Sequence, residues 1–282
     1  MAWDVGDERG SVLVETRPPP AWRPTRTPTG PTVTRKQTPD RRTAPVIDRR
    51  SLFARAANAV ASLAAAQLTV SCGTASATEL NVAGCVLTAA LTEGPYFVDE
   101  KLNRSDLRTD PTTGTQSSGV PLDLTFNVSR VAGNACTPLT GAFLDVWHCD
   151  SGGVYSDVSG TGAGHKFLRG YQVTDASGIA RFVTVYPGWY PGRAVHVHFK
   201  LRLFAGTAKT YEFTSQFFLA ESVTNVVHAA APYNVKGQRN TLNTSDGIYN
   251  GLTTAGKAAL TLRTTQVSGG YAGVIDLAVQ VG

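Results

Sequence analysis

Two histidines in a run of β-forming residues are the first candidates for chemistry in this chain. His196 and His198 are separated by one valine and follow a turn-rich segment that contains Tyr190 and Arg193. Because side chains alternate faces along a strand, both imidazoles should point the same way. The apolar residues that alternate with them, at 195, 197 and 199, should face a core. Such a pair can bind a metal ion. The alternative is an ordinary half-exposed strand that contains two histidines.

Short β-forming segments separated by turn residues must position this pair. Alternation with period two is clearest in residues 120–131, and a Gly-Asn turn follows at 133–134. Further strands are predicted at 142–149, 171–174, 179–186, 195–203, 210–219, 259–264 and 273–281. This spacing predicts an all-β fold, an antiparallel β-sandwich with long loops around the site. Residues 239–249 are predicted to form a surface loop.

The charge of the chain is unevenly distributed. The 282 residues carry a formal charge of +5, but the excess of lysine and arginine lies within residues 1–55. The remainder is neutral, so the folded part is not expected to bind nucleic acid. Residues 78–282 are long enough for one domain with a sizeable core.

The N-terminal part predicts a leader and an export signal. Residues 1–48 are rich in Pro, Arg and Thr and are predicted to be disordered. In residues 49–77, paired arginines precede an Ala-rich apolar run and an Ala-Ser-Ala site, as in a twin-arginine export signal. The apolar run is too short for a stable membrane span. An amphipathic Ala-rich helix is the alternative. We therefore expect a protein exported to the cell envelope or the medium.

Four cysteines allow three disulfide pairings: Cys72, Cys85, Cys136 and Cys149. Cys136 and Cys149, at the base of adjacent predicted strands, are candidates for a bridge in an exported protein. Cys72 falls inside the predicted signal, where lipid attachment is a weaker alternative. Removal of the signal would leave an odd number of cysteines, so the pairing stays open at this point.

Several short motifs occur in a fixed order along the chain. They are Leu-Thr-Glu-Gly-Pro-Tyr at 91–96, Trp-His-Cys-Asp at 147–150, Gly-Val-Tyr-Ser at 153–156, Phe-Leu-Arg-Gly at 167–170, Pro-Gly-Trp-Tyr-Pro-Gly-Arg at 187–193, His-Val-His at 196–198 and Thr-Ser-Gln at 214–216. This series resembles the intradiol ring-cleavage dioxygenases, the family of catechol 1,2- and protocatechuate 3,4-dioxygenases, and especially their secreted single-domain relatives. The resemblance covers residues 85 to about 249.

The resemblance implies a set of metal ligands. It places the family's two tyrosinates on Tyr155 and Tyr190 and its two histidines on His196 and His198, which together would hold a non-haem Fe(III). Phenolates are hard anionic donors that favour a trivalent metal, whereas imidazoles alone would suit Zn, Cu or Fe(II). Two phenolates and one hydroxide balance the charge of Fe(III), so a buried centre would carry little net charge.

The resemblance also implies catalytic residues and a reaction. Arg193 matches the active-site arginine, Gln216 matches a glutamine that supports the ligands, and Tyr190 would act as ligand and base in turn. Tyr96, behind the loop at 93–95, is a candidate for lining the substrate pocket. The implied substrates are a small aromatic diol and O₂, and the implied product is a cis,cis-muconate-type diacid. The family's helical dimerisation segment is not recognisable in this sequence, so the oligomeric state stays open.

Two other functions compete with this interpretation. One is a non-catalytic β-sandwich binding module that retains the metal site, although no ligand position is substituted. The other is a zinc hydrolase that would use the histidine pair with His165 or His228, both predicted to lie in solvated loops. This second alternative gives neither tyrosine a role. His148, at a strand end, is expected to be a structural hydrogen-bonding residue rather than a ligand.

Overall fold

The computed structural model describes residues 81–82 and 85–281. The strands are β1 (Asn81–Val82), β2 (Cys85–Val86), β3 (Pro121–Ala132), β4 (Ala135–Pro138), β5 (Phe143–Trp147), β6 (Arg169–Val173), β7 (Ile179–Val185), β8 (His196–Ala205), β9 (Ala208–Phe218), β10 (Arg263–Val267) and β11 (Gly270–Gln280). The α-helices are α1 (Glu221–His228), α2 (Gly247–Asn250) and α3 (Thr254–Ala259). The predicted leader and export signal lie outside the described residues.

Two sheets form the sandwich. One has five strands, in the order β10-β11-β3-β4 with β7 also paired to β3, and the other has four strands in the order β6-β5-β8-β9. The predicted all-β sandwich is therefore confirmed. One pairing departs from the antiparallel expectation: β11 runs parallel to β3 from Tyr271↔Leu122 to Gln280↔Val131. β3 and β11 are far apart in the chain: the helical connection after β9 leads into the β10–β11 hairpin, so no hairpin forces β11 to run antiparallel to β3.

The core lies between the sheets and is rich in aromatic residues. Phe126 of β3 contacts Phe182 of β7, Phe199 of β8 and Phe217 of β9 with ring centroids 5.8 to 6.1 Å apart. All four rings are buried. Edge-on aromatic pairs of this kind stabilise a core beyond the area that they bury. Val197 also faces this core, so the alternation predicted for β8 is confirmed, and the two histidines lie on the opposite face of the four-stranded sheet.

The C-terminal third contains more helix than the sequence pattern predicts. The segment 259–264 was expected to be a strand, but it spans the end of α3 and the start of β10. The Thr253 side chain accepts a hydrogen bond from Gly256 N and caps α3, which favours a helix over the period-two pattern. The predicted surface loop at 239–249 is also wrong in part, because Thr241, Asn243 and Asp246 are buried. Within the described residues, no helix is long and apolar enough to cross a membrane.

The disulfide joins Cys85 and Cys136, whose Cα atoms are 6.1 Å apart. The expected bridge between Cys136 and Cys149 is therefore wrong. Cys136 lies in β4 of the five-stranded sheet, whereas Cys149 follows β5 of the other sheet and is a buried free thiol. The two residues are separated by the sandwich, and Cys85, beside Val131 and Ala278, is the cysteine within reach of Cys136.

Candidate metal centre

Four side-chain donor atoms converge on the outer face of the four-stranded sheet. His196 Nε2 lies 3.4 Å from Tyr155 Oη, 3.1 Å from Tyr190 Oη and 3.1 Å from His198 Nε2. We call these four residues the donor cluster. They come from a strand and two separate loops, so the fold brings together all four ligands that the sequence predicts.

The register of the sheet fixes both imidazoles. His198 is paired with Trp147 of β5 on one side and with Gln216 of β9 on the other. The Trp147 indole stacks on the His198 ring, with centroids 5.0 Å apart and an interplanar angle of 9°. His196 donates its Nδ1–H to Ala194 O at 2.6 Å, which leaves the lone pair on Nε2. Such hydrogen bonds set the tautomer and direction of a ligating imidazole.

The loop after β5 carries Tyr155. Asp150 Oδ1 accepts hydrogen bonds from Gly152 N at 2.9 Å and Val154 N at 2.8 Å, which closes an Asx turn before the tyrosine. Arg169 donates to the backbone carbonyl and, at 2.8 Å, to the hydroxyl of Ser156. Tyr155 is consequently held from both sides, and only 5% of its surface is exposed.

The loop after β7 carries Tyr190 and packs directly against the first loop. Gly188 N donates to Asp150 O at 3.0 Å, and a Cβ atom on Gly153 would lie 2.1 Å from Trp189 O. Gly153 also has a φ of +84°, so this position requires glycine for space and for conformation. Lys236 Nζ donates to Gly152 O and to Trp189 O, both at 2.7 Å, and thereby links the two tyrosine-bearing loops.

Burial keeps both histidines of the cluster neutral. It lowers the pKa of His196 to about 3, and the positive charge of Arg193 acts in the same direction. The pKa of His198 is also well below its usual value, because of burial and the neighbouring His196 and Arg193. Neutral imidazoles are the form that binds metals.

Burial raises the pKa of both tyrosines. The pKa of Tyr155 lies well above its usual value, and that of Tyr190 rises to about 12 although Arg193 opposes the shift. A polyvalent cation among these oxygens would reverse this effect, because it favours the phenolate. Two potential phenolates and two neutral imidazoles fit a hard trivalent metal better than a divalent one. The described residues contain no cluster of three or more His, Cys, Asp or Glu that could hold a metal. The donor cluster is not a group of that kind, because two of its four donors are tyrosines.

Arg193 and Gln216 lie beside the donor cluster and contact each other. Arg193 Nη2 donates to Gln216 Oε1 at 2.6 Å, and Gln216 Nε2 donates to Thr92 O at 2.8 Å. Arg193 Nε donates to Asp246 Oδ2 at 2.8 Å.

A cleft of about 350 Å³ opens beside the cluster. Its walls are mainly aromatic and aliphatic: Tyr96, Gly153, Val154, Tyr155, Val158, Ser159, Tyr190 and Pro191. Tyr96 stacks on Tyr155 with ring centroids 4.3 Å apart and meets Tyr190 edge-on at 6.0 Å. The structure thus brings Tyr96 to the position expected of a pocket-lining residue. A flat wall of this kind suits an aromatic ring.

The other histidines lie outside the cluster. His148 hydrogen-bonds Cys149 O and Thr184 Oγ1, as a structural residue should. His165 pairs with Asp110 at 2.6 Å. The loop predicted for His228 is wrong, because this residue ends α1, is partly buried, and has its Nε2 3.0 Å from Pro187 O. Neither His165 nor His228 is a third ligand for the histidine pair.

Two residues that the sequence did not indicate support the site. Asp246 holds Arg193, and Lys236 links the tyrosine loops. The Asp-Gly pair at 246–247 carries a helix-start signal, since Asp246 caps α2. That signal does not reveal that the same carboxylate reaches an arginine 53 residues away. Lys236 lies in a short 3₁₀ segment with no local pattern.

Comparison with known proteins agrees with this geometry. The family model described as Dioxygenase matches residues 92–221. The chain is 29% identical over 149 residues to catechol 1,2-dioxygenase 1 of Acinetobacter lwoffii, which is 44% of either chain. It is 26% identical over 133 residues to chlorocatechol 1,2-dioxygenase of Rhodococcus opacus, which is 40% of this chain and 51% of that protein. This chain therefore aligns with about half the length of these curated relatives.

A solved structure extends the likeness to the described domain. The intradiol ring-cleavage dioxygenase from Tetranychus urticae is 29% identical, with a TM-score of 0.60 over 70% of this chain and 95% of that chain. The fold and the sequence match thus define one class of protein. The family model, these relatives and this structure together support membership of the intradiol ring-cleavage dioxygenase family.

Proposed function

We propose that this protein is an Fe(III)-dependent dioxygenase that cleaves catechol-type aromatics between the two hydroxyl-bearing carbons. The reaction would consume O₂ and give a cis,cis-muconate-type diacid. The observation that carries the proposal is that two tyrosine oxygens and the Nε2 atom of a second neutral imidazole all lie within 3.4 Å of His196 Nε2. An arginine held beside them and an aromatic-walled cleft support it.

Tyr155, Tyr190, His196 and His198 would hold the metal. When bound, Fe(III) would withdraw electron density from the two oxygens of a chelated diol and so prepare the ring for attack by O₂. Trp147 and the hydrogen bond to Ala194 O keep the imidazoles in place for this task. A largely buried set of two anionic and two neutral donors also suits a trivalent ion electrostatically.

The two tyrosines have different surroundings, which supports different roles. Both tyrosines line the cleft, but Tyr155 is buried and stacks on Tyr96, whereas Tyr190 is only partly buried and is followed by the exposed Pro191. We therefore assign Tyr155 as the permanent ligand. Tyr190 Oη, which can turn toward the cleft, would accept a proton from the entering diol as a general base.

Arg193 and Tyr96 would act on the substrate. Arg193 is always charged and is held at two of its nitrogens, so it can stabilise negative charge that develops on the ring and on the product. Tyr96 offers its ring as one wall of the cleft. Gln216 orients the arginine and is itself oriented by Thr92 O.

Visible absorption of the iron-loaded protein tests the ligand set. We expect about one Fe per chain and a coloured protein, because tyrosinate-to-Fe(III) charge transfer absorbs visible light. Tyr155→Phe should lose most of the colour and part of the iron, since it removes a donor. Tyr171→Phe is the matched control, because Tyr171 lies in β6 away from the cluster, and it should stay coloured. Stoichiometric zinc without iron in purified protein would refute the proposal.

A coloured protein without turnover would instead indicate the binding-module alternative.

We further propose that the protein is exported. The disulfide between Cys85 and Cys136 supports this, since such bonds persist in oxidising compartments. Mass spectrometry of exported protein should find an N-terminus near Thr78, and a chain intact from Met1 would rule out cleavage of the signal.

A further inference from the structure

We propose that Asp246 is a positioning residue of the active site, which holds the Arg193 guanidinium in its working orientation. The inference rests on the proposed function, because it assigns a partner to the arginine of that same site. Asp246 lies 53 residues after Arg193 in the chain, in a segment that the sequence pattern assigns to the surface. In the structure its surface is 0% exposed.

Each oxygen of the Asp246 carboxylate accepts two hydrogen bonds from N–H groups. Oδ2 accepts from Arg193 Nε and from Ala194 N, both at 2.8 Å. Oδ1 accepts from Ile248 N at 2.8 Å and Tyr249 N at 2.9 Å at the start of α2. Four hydrogen bonds to one buried carboxylate define its position closely, and the one from the guanidinium is charge-assisted.

Arg193 is thereby fixed at two nitrogens. Asp246 holds Nε, and Gln216 Oε1 holds Nη2 at 2.6 Å. Gln216 cannot turn its amide over without loss, because its Nε2 donates to Thr92 O. Within the described residues Nη1 has no hydrogen-bond partner, so its two N–H groups stay free for an anionic oxygen. The Arg193 side chain is only 19% exposed. This burial limits the other orientations that its guanidinium could adopt.

The negative charge of Asp246 has a second consequence. Arg193 is near enough to lower the pKa of both cluster histidines, so it would repel any cation bound by them. A buried positive charge needs a partner of opposite sign. Asp246 supplies it, and a cationic arginine can therefore lie beside a metal site.

The surrounding segment is built to deliver this carboxylate. Asn243 Nδ2 donates to Leu219 O at 3.0 Å, directly after β9. Asn243 N donates to Glu221 Oε1 at 2.6 Å. These contacts attach residues 241–246 to the end of β9 and the start of α1. The segment reaches the site from outside the part of the chain that carries the metal-ligand motifs.

Asp246→Asn is the appropriate variant because it keeps the shape and removes the charge. Its Oδ1 can still cap α2, but the amide nitrogen would face two donors, Arg193 Nε and Ala194 N. We expect Arg193 to shift, and kcat for catechol to fall by about 10²-fold, as misplacement of a catalytic group by about 1 Å can cause. The iron content and the visible band should remain close to wild type, because the four ligands are unchanged. Asp276→Asn, at an exposed position of β11, is the control.

A double-mutant cycle separates positioning from general destabilisation. If Asp246 acts through Arg193, the double variant should have a kcat less than about 3-fold below that of Arg193→Ala. The two losses are then not additive, because both substitutions remove the same function. Multiplicative losses in the double variant would overturn the proposal, as would wild-type kcat in Asp246→Asn. Because kcat is meaningful only if the wild type cleaves catechol, absence of wild-type turnover would count against the proposed function instead.

A measurement without turnover tests the contact itself. In the full chain loaded with Ga(III), a diamagnetic trivalent ion, the ¹⁵N spectrum should contain a slowly exchanging Arg193 Nε–H signal, assigned by its loss in Arg193→Ala. Asp246→Asn should abolish its protection, while Asp276→Asn should leave it unchanged. Protection that survives Asp246→Asn would contradict the proposal, whatever the protein does to catechol.

Discussion

Tyr155 and Tyr190 carry the same functional group in different environments. Burial raises the pKa of both, but Tyr155 is buried and stacks on Tyr96, whereas Tyr190 is only partly buried and Arg193 more strongly opposes the rise in its pKa. These environments suit the roles that we propose: Tyr155 stays bound to the metal, and Tyr190 leaves the metal when the substrate binds. Substitution of Tyr190 alone therefore separates catalysis from metal binding.

Tyr190→Phe should retain some iron through Tyr155, His196 and His198, with a shifted visible band. Catechol should still bind without O₂, but its deprotonation would lack a partner. Because loss of a positioned base costs roughly 10²–10⁴ in rate, we expect kcat/KM to fall by about that factor. Stopped-flow absorbance, first without and then with O₂, measures both steps. Turnover at the wild-type rate would exclude the role of Tyr190 as a base.

Individual residues differed in how far the sequence could predict them. His196 and His198 share a face because strand geometry leaves no alternative, and their convergence follows from β8 alone. The two tyrosines, Arg193 and Gln216 depended on a family resemblance. Asp246 escaped both approaches, since its role arises from a contact between distant segments. A local pattern shows that Asp246 begins a helix, but it does not show where the carboxylate points.

The two tyrosine-bearing loops act as one element. They meet through Gly153 and Gly188, where any Cβ atom would collide with the backbone of the other loop. Lys236 adds two hydrogen bonds across them and lies 4.9 Å from the centroid of the Trp189 ring. The positions of Tyr155 and Tyr190 are therefore coupled, and the spacing of their hydroxyl groups depends on the contact between the loops.

Lys236→Met should loosen this contact while preserving the length of the side chain. We expect a loss of about 0.5–1 kcal/mol in the free energy of unfolding, because hydrogen bonds to two carbonyl groups disappear but the lysine itself is exposed. Iron should also dissociate faster into a chelator. Urea unfolding and chelator kinetics provide the measurements. Lys209→Met, which removes an exposed lysine far from the site, is the control, and equal iron loss in both variants would show that Lys236 has no special role.

Elements were predicted well where one physical signal dominated. Most strands of the sandwich were recognised from alternation, with boundaries that shifted by a few residues at β5, β6 and β11, whereas the short strand β4 was not predicted. The strand predicted at 259–264 begins too early, because Ala259 still belongs to α3 and β10 starts only at Arg263. Helix α1 was not predicted at all. Its short apolar pattern of valines resembles a strand until the packing of Val227 and Thr224 against the core is known.

At the scale of the whole molecule, the fold is a scaffold with chemistry on one outer face. The inner faces of the two sheets make the core, and the outer face of β8 carries the histidines beneath the segments that contain Tyr96, Tyr155 and Tyr190. The prediction of an all-β sandwich is confirmed, and the comparisons with known proteins support the predicted family. The assignments of residues 1–48 as leader and 49–77 as export signal fall outside the described residues and stay predictions.

We propose that this fold and its donor cluster cleave a catechol between its hydroxyl-bearing carbons. The most direct measurement is mass spectrometry of the product formed from catechol and ¹⁸O₂ by the iron-loaded full chain. We expect a cis,cis-muconate-type diacid that contains both atoms of one O₂ molecule. A semialdehyde product from cleavage beside the diol, or no product from a protein that binds iron through these four residues, would contradict it.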